Sequence, residues 1–535
     1  MKRLTIVVHI LAVSLAVLYI RIMLIPYAQL PWDEAMFISR SFKLYTFLRL
    51  FQFCEVLANI FNPWQFSYPP LQELSIALVS LPFSFSITLS KLTSAGWVCV
   101  SVFFIYKLHM TITSSQKYIR SILTSVFFLT SPLILLYGAI AMKESMGCAL
   151  TIALFYQYLT AKKSGKLIHF FLTSLVLSAV FLTKYQYTII PILTIMLDLM
   201  IEKISLKNRT ISLVHLLVVC IPCAVISGLW ILFPVNHIHV FTELLKNSEN
   251  LTGGYAPVID YVLFHPRALL YMYAPSVIIG ALFVFSLIMT IPFWRQPLIR
   301  ISLFMSWISI MLSTIHYTNI QERYILPSVP FIMVLSAFIC TMYFRISMRW
   351  STNSMIRVAG VLVLSSLLVF VLRDTYQSSR TIYAMGSVTQ KGPLFTQQDY
   401  KDAWFVYDPH MWPKNMPWEA KEVPMDVVKF VAQNIDVTKE YWVYGLSGFF
   451  PPGLFSYVFD SLPQSERIVD NKYDKYAITI TTFPDSFYYT RDYELFAQYQ
   501  EYQTQEYIQS HEDTLIAKKK FEFLGIEIAM YGEKY

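Results

Sequence analysis

Continuously apolar segments of about 16 to 25 residues alternate with short polar connectors until about residue 373. That is the length a helix needs to cross a hydrocarbon core about 30 Å thick, whereas the strands of a membrane barrel would appear as alternating segments of about ten residues. The pattern predicts a polytopic α-helical membrane protein with about eleven spans (eleven to thirteen), near 4–24, 92–107, 121–138, 144–160, 168–183, 185–200, 211–233, 268–290, 300–316, 324–345 and 356–373. Lysine and arginine gather in the connectors 107–120, 161–166, 202–209, 294–300 and 344–357, and the chain opens Met1–Lys2–Arg3. By the positive-inside rule these face the cytoplasm, which puts residues 26–91, the loop 234–267 and everything after 373 on the outer side. The region 71–107 must then cross an odd number of times. Leu71–Thr88, with Glu73, Pro82 and several serines, is expected to be an interfacial or re-entrant piece, and 92–107 the span.

Within the first outer segment lies a polar island, Pro31–Leu71. Glu34–Ile60 has helical recurrence of apolar and aromatic residues broken by charges, which predicts a helix along the membrane interface. Asn62–Pro63–Trp64 ends it, and Ser67–Tyr68–Pro69–Pro70 forces an extended backbone ahead of Leu71. From Asp374 the composition becomes that of a soluble domain, so the chain divides into a membrane domain at 1–373 and an extracytoplasmic domain at 374–535. In the latter, 425–434 and 492–499 read as helices and 440–444 and 476–481 as strands, a small α/β module. Gly445–Leu446–Ser447–Gly448 lacks the spacing of a nucleotide-binding fingerprint.

Composition narrows the class. Of 535 residues 56% are hydrophobic and 14% charged, and the mean hydropathy is +0.50. The net charge of +8 lies mostly in short connectors, so it speaks of orientation and not of a nucleic-acid partner. Six cysteines, Cys54, Cys99, Cys148, Cys220, Cys223 and Cys340, lie in or beside the membrane region with neither metal-thiolate spacing nor a disulfide framework.

Outside the cytoplasmic connectors, charge collects on the outer face. Asp33 and Glu34 stand just beyond the first span, where a carboxylate pair is costly unless it meets water, a cation or a ligand. One carboxylate there can act as a general base, and Asp33 is the better placed; the plainer alternative is a helix N-terminus satisfied by an acid. Lys143–Glu144 lies between two strongly apolar runs, either as a self-neutralising pair or as a pair that meets a ligand. Lys184, followed by Tyr185, supplies a cation for phosphate unless it snorkels to the surface. Arg323, between Glu322 and Tyr324, offers the fork that binds phosphate oxygens, or else is clasped by Glu322. His265 and Arg267 are candidates for a headgroup contact. His237 and His239, two apart on a loop without a third ligand, are a weak metal signal, so a divalent ion stays only a possibility.

Taken together, PWDEAMF after the first span, SYPPLQELSIAL, SPLILLYGAIAMKES, AVFLTKYQ and ERYILPSVPFI, in this order and on one side of the membrane, resemble the GT-C superfamily of polyprenyl-phosphate-sugar-dependent glycosyltransferases. The resemblance covers residues 1–345 and is nearest to the branch of protein O-mannosyltransferases and the aminoarabinose transferase of lipid A. It implies a GT-C fold and inverting transfer of a monosaccharide from a polyprenyl phosphate to an acceptor hydroxyl on a protein, lipid or glycan. It also implies a multi-pass protein of the cell membrane with its N-terminus in the cytoplasm. Carried onto this chain, it makes Asp33 the catalytic acid of the loop and Glu144 a second acid near sugar or acceptor. Lys143, Lys184, Tyr185, Tyr68, His265, Arg267, Glu322, Arg323 and Tyr324 then surround the sugar and the lipid phosphate. Many relatives carry a lysine or other polar residue before the Pro-Pro pair, where this chain has Ser67–Tyr68, which does not supply a lysine contact to phosphate. Two other classes compete: a lipid or solute transporter, which predicts ionisable groups at mid-membrane and an internal repeat, and a non-catalytic assembly protein on the same scaffold.

Overall fold

A computed structural model describes residues 32–61, 68–204, 213–232, 265–266, 268–270, 273–315, 322–350, 411–413, 425–436, 440–445, 473, 475–482, 487–489, 504–521 and 526–533, together with residues 6, 9 and 13. The chain resolves into two compact units. The first comprises Met1–Leu24 and Phe47–Ser379, the second Ile25–Thr46 and Arg380–Tyr535. The expected spans 4–24 (save residues 6, 9 and 13, which are helical) and 356–373, the loop 234–264 and the helix at 492–499 lie outside the described residues.

The helices follow the apolar pattern. After α1 (Trp32–Arg49) and α2 (Phe53–Ile60) come α3 (Leu71–Ser80), α4 (Ile87–Met110), α5 (Lys117–Thr130), α6 (Pro132–Ala139), α7 (Lys143–Ser164), α8 (Leu167–Thr183), α9 (Gln186–Ile204), α10 (Leu213–Leu232), α11 (Val277–Met289), α12 (Pro297–Ile315) and α13 (Val329–Trp350). Among the described residues, α4 and stretches of α10 and of the chain into α13 are long and apolar enough to cross a membrane by themselves, while α3, α8, α11 and α12 are apolar but shorter. Among the described residues, three helices, or four with one bent pair counted as a span, meet that length and composition by themselves. The clearest difference is at 121–138, expected as one span. Pro132 lacks the amide a continuing helix needs, so α5 stops at Thr130 and α6 leaves it at 72°.

Between α1 and α2 the chain turns at Phe51, whose φ of 57° lies in the left-handed region. Leu50, Phe51, Phe53 and Leu57 are all exposed there, the habit of a segment whose apolar side chains meet lipid. In the 71–107 region α3 has 10 residues, about 15 Å at 1.5 Å per residue, too short to cross. The helix long and apolar enough to cross is α4, which starts where Ser86 caps it by accepting from the Leu89 amide at 3.1 Å.

Many hydroxyls are buried among these helices. Ser80, Ser101, Ser178, Ser286 and Ser336 bond carbonyls one turn back, satisfying groups that lipid and apolar neighbours could not. The helix α7 is buried from Lys143 through Phe155 save at Leu150, and packs along α8 and α4.

The C-terminal part of the second unit contains a four-stranded mixed sheet in the order β2–β3–β6–β5, formed by β2 (Glu440–Gly445), β3 (Lys475–Thr482), β5 (Leu515–Phe521) and β6 (Ile526–Glu533). A short antiparallel pair joins β1 (Met411–Pro413) to β4 (Phe487–Tyr489). The helix α14 (Met425–Ala432) contributes buried Val427 and Val431. Both faces of β6 are covered, Ile526, Ile528 and Met530 on one and Ala529 and Tyr531 on the other, and bare Gly532 makes room for the ring of Tyr473.

Candidate functional site

The first unit assembles a polar centre where α7 and α9 begin. Lys143 and Glu144 occupy the first turn of α7, with Met142 extended before them. Lys143 Nζ lies 2.8 Å from Glu73 Oε2 on α3 and donates to the Pro69 carbonyl at 2.6 Å. Both side chains of this pair are fully buried. The island residue Tyr68 is therefore fixed from behind, because the backbone next to it is tied to α7.

Lys184 sits in the extended link between α8 and α9, and its ammonium pairs with Glu144 Oε1 at 3.2 Å. The same oxygen accepts from the Tyr187 hydroxyl at 3.0 Å. Three tyrosine faces surround the ammonium, Tyr187 at 5.2 Å, Tyr324 at 5.3 Å and Tyr68 at 5.9 Å from the ring centroids, so cation–π attraction adds to the ion pair. Tyr68 in turn stacks on Tyr185, centroids 5.6 Å apart and planes 10° from parallel. The guanidinium of Arg323, on the short 3-10 turn Glu322–Tyr324, lies 5.9 Å from the same Tyr324 ring that faces Lys184.

The expected residues Tyr68, Lys143, Glu144, Lys184, Tyr185, Arg323 and Tyr324 thus gather in one place. Besides Lys143, which Glu73 holds, the centre offers two cations, Lys184 and the half-buried Arg323, around tyrosine faces, beside a carboxylate with one oxygen already bonded. Such a set suits an anion joined to a hydroxylated group. Asp33 and Glu34 belong to the second unit, in the first turn of α1, where Glu34 is fully buried. His265 is buried, bonded to Ser313 Oγ at 2.7 Å, and burial lowers its ring to about 4. It is neutral near pH 7 and brings a hydrogen bond without charge. The backbone of Glu322 is described but not its side chain, and Arg267, His237 and His239 lie outside the described residues.

Among the described residues no three His, Cys, Asp or Glu side chains gather. Glu73 and Glu144 are each paired with a lysine.

Three residues of the centre carry no expectation from the sequence. Glu73 was legible only as the single charge of an apolar stretch, and Tyr187 as a polar group one turn after Lys184. Gly147 showed no signal.

A second buried cluster lies at the other end of α7 and α9. Asp198 accepts from Tyr158 and Lys162 at 2.6 Å each and from Arg300 Nε at 2.6 Å. Glu202 accepts from Lys162 at 2.9 Å and from Arg300 Nη2. Asp198 inside an expected span was the available signal, since an acid in a membrane helix needs a partner.

No family model matches this sequence, and no curated protein matches it. Solved structures do resemble the fold. ArnT from Cupriavidus metallidurans bound to undecaprenyl phosphate aligns over 97% of both chains with a TM-score of 0.54 at 12% identity, and apo ArnT with 0.55. The oligosaccharyltransferase AglB from Archaeoglobus fulgidus, in complex with an inhibitory peptide and a dolichol-phosphate, aligns over 89% of this chain and 69% of its own, with a TM-score of 0.50 at 11% identity. The chain has a GT-C-like fold: largely α-helical and membrane-associated, with a C-terminal β-sheet region.

Proposed function

We propose that this protein is an inverting glycosyltransferase that moves a monosaccharide from a polyprenyl phosphate to an acceptor hydroxyl at the outer face of the cell membrane. The observation that carries this reading is the buried Glu144–Lys184 pair with Arg323 across the Tyr324 ring, on a fold that resembles ArnT along its whole length. Lys184 and Arg323 hold the lipid phosphate, Tyr68 and Tyr185 line the approach, and Glu144 meets the sugar. Asp33 takes the proton of the acceptor hydroxyl; its oxygen bonds to the anomeric carbon from the far side, and the bond to phosphate oxygen breaks with its electron pair passing to the leaving phosphate. The two cations offset the charge that develops there. Polyprenyl phosphate and the glycosylated acceptor, a protein, lipid or glycan, are the products.

A transporter would place ionisable groups partway along a path. The Lys162–Asp198–Glu202–Arg300 cluster instead stands in the last turns of α7 and α9 and the first turn of α12, with its charges mutually satisfied. Transfer from radiolabelled undecaprenyl-phosphate monosaccharides into membrane acceptors tests the assignment. Asp33→Asn is expected to lower the rate by roughly 10²- to 10⁴-fold, the usual contribution of a general base. Full activity in that variant removes Asp33 from the mechanism.

A further inference from the structure

Glu144 is held by one oxygen. Its Oε1 accepts from Lys184 and Tyr187, while Oε2 is buried with no hydrogen-bond partner. The side chain as a whole is 1% exposed. The phenol reaches Oε1 because its ring rests against Gly147, one turn along α7 from Glu144. A methyl group at 147 would stand 2.5 Å from Cε2 and 2.6 Å from Cδ2 of Tyr187, closer than carbon atoms approach. Two costs are therefore borne at one carboxylate. Glycine inside a helix is about 0.5–1 kcal/mol worse than alanine, and a buried polar atom left unbonded costs roughly 1–3 kcal/mol or more.

We propose that Tyr187, seated on the bare Cα of Gly147, is a positioning residue that fixes Oε1 of Glu144, so that Oε2 is left to accept from a hydroxyl or amino group of the lipid-borne sugar. The inference rests on the reading of Glu144 as the acid that meets the sugar. Lys184 alone does not orient the carboxylate, because an ammonium on a four-carbon stem imposes no rigid geometry. Tyr187 adds a short, ring-locked donor. It acts through Glu144 and has no need to touch the sugar.

Equilibrium binding of undecaprenyl phosphate and of its glucose, galactose and mannose esters to the full-length protein in detergent micelles separates the possibilities. Wild type is expected to bind at least one sugar-bearing lipid about tenfold or more tighter than the bare lipid, the gain of one hydrogen bond to a charged group. Glu144→Ala erases that gain. Tyr187→Phe, which keeps the ring, loses most of it with bare-lipid affinity unchanged, an outcome that general loosening of the fold would not give. Gly147→Ala, which displaces the ring, loses that gain as well. In the Glu144→Ala background Tyr187→Phe costs nothing further. A full gain retained in Tyr187→Phe, or losses that add in the double variant, overturns the positioning role and leaves Glu144 in place. No sugar-dependent gain in wild type, or a gain that survives Glu144→Ala, overturns the sugar-binding role of Glu144 and with it this inference. If Gly147→Ala does not fold, Tyr187→Phe and the double variant decide.

Discussion

Arg300 donates from Nε to Oδ1 of Asp198 across 2.6 Å, and both side chains are wholly withdrawn from solvent. The contact joins α12 to α9, and through Lys162 and Tyr158 it takes in α7 as well. Removing one member of a buried pair leaves its partner charged and unpaired, at about 3–5 kcal/mol. Asp198→Asn and Arg300→Met should each lower the midpoint of thermal unfolding of the detergent-solubilised protein sharply. The same substitution at exposed Lys163 should leave it in place. Equal midpoints for Asp198→Asn and wild type would mean the cluster does not bear on stability.

The Lys143–Glu73 pair makes a different prediction, because one of its cation's contacts is to backbone. Lys143→Met strands Glu73 and should cost about 3–5 kcal/mol, whereas Lys143→Met with Glu73→Leu should recover most of that loss. Recovered stability would not restore the hold on the Pro69 carbonyl. Proteolysis near Ser67–Pro70 should therefore stay faster in the double variant than in wild type. Wild-type protection there would show that the carbonyl contact is not what fixes the segment.

Lys184 and Arg323 are expected to share one phosphate. A charge-assisted hydrogen bond contributes about 1.5–3 kcal/mol, so Lys184→Gln and Arg323→Gln should each weaken binding of undecaprenyl phosphate by roughly 10- to 100-fold. High salt should narrow the difference from wild type more at half-buried Arg323 than at buried Lys184. Unchanged affinity in both variants would remove the phosphate from this centre.

His265 supplies a pH dependence. Burial lowers the folded ring from its ordinary 6.5 to about 4, so the unfolded chain takes up the proton first as pH falls. The stability contributed by the neutral ring is complete above pH 6.5 and is lost between 6.5 and about 4, a loss of about 3 kcal/mol in all. His265→Gln should flatten thermal stability across that window, and an unchanged slope would assign the acid sensitivity elsewhere.

What the sequence made legible was set by what repeats along it. Apolar runs place α7, α8 and α10 within a few residues of their observed ends, because burial in lipid or core demands a continuous apolar stretch. The bend after Thr130 depends on a single proline inside such a run, and hydropathy averages over it. At the site, charges isolated in apolar surroundings pointed to Lys143, Glu144, Lys184 and Arg323, since such charges need partners. Which partner each takes was hidden: Glu73 lies 70 residues from Lys143, and only the packing of α3 against its neighbours brings them together. Gly147 was invisible for a simpler reason, because its role is to leave a space for Tyr187.

The cluster at the C-terminal ends of α7 and α9 also has an electrical consequence. Lys162, Arg300, Asp198 and Glu202 together sum to zero. A transmembrane potential does work of about 2.3 kcal/mol per 100 mV on each elementary charge carried across it. Moved as one body, these four side chains carry none, so an energised membrane exerts no net pull on the group that ties the three helices together.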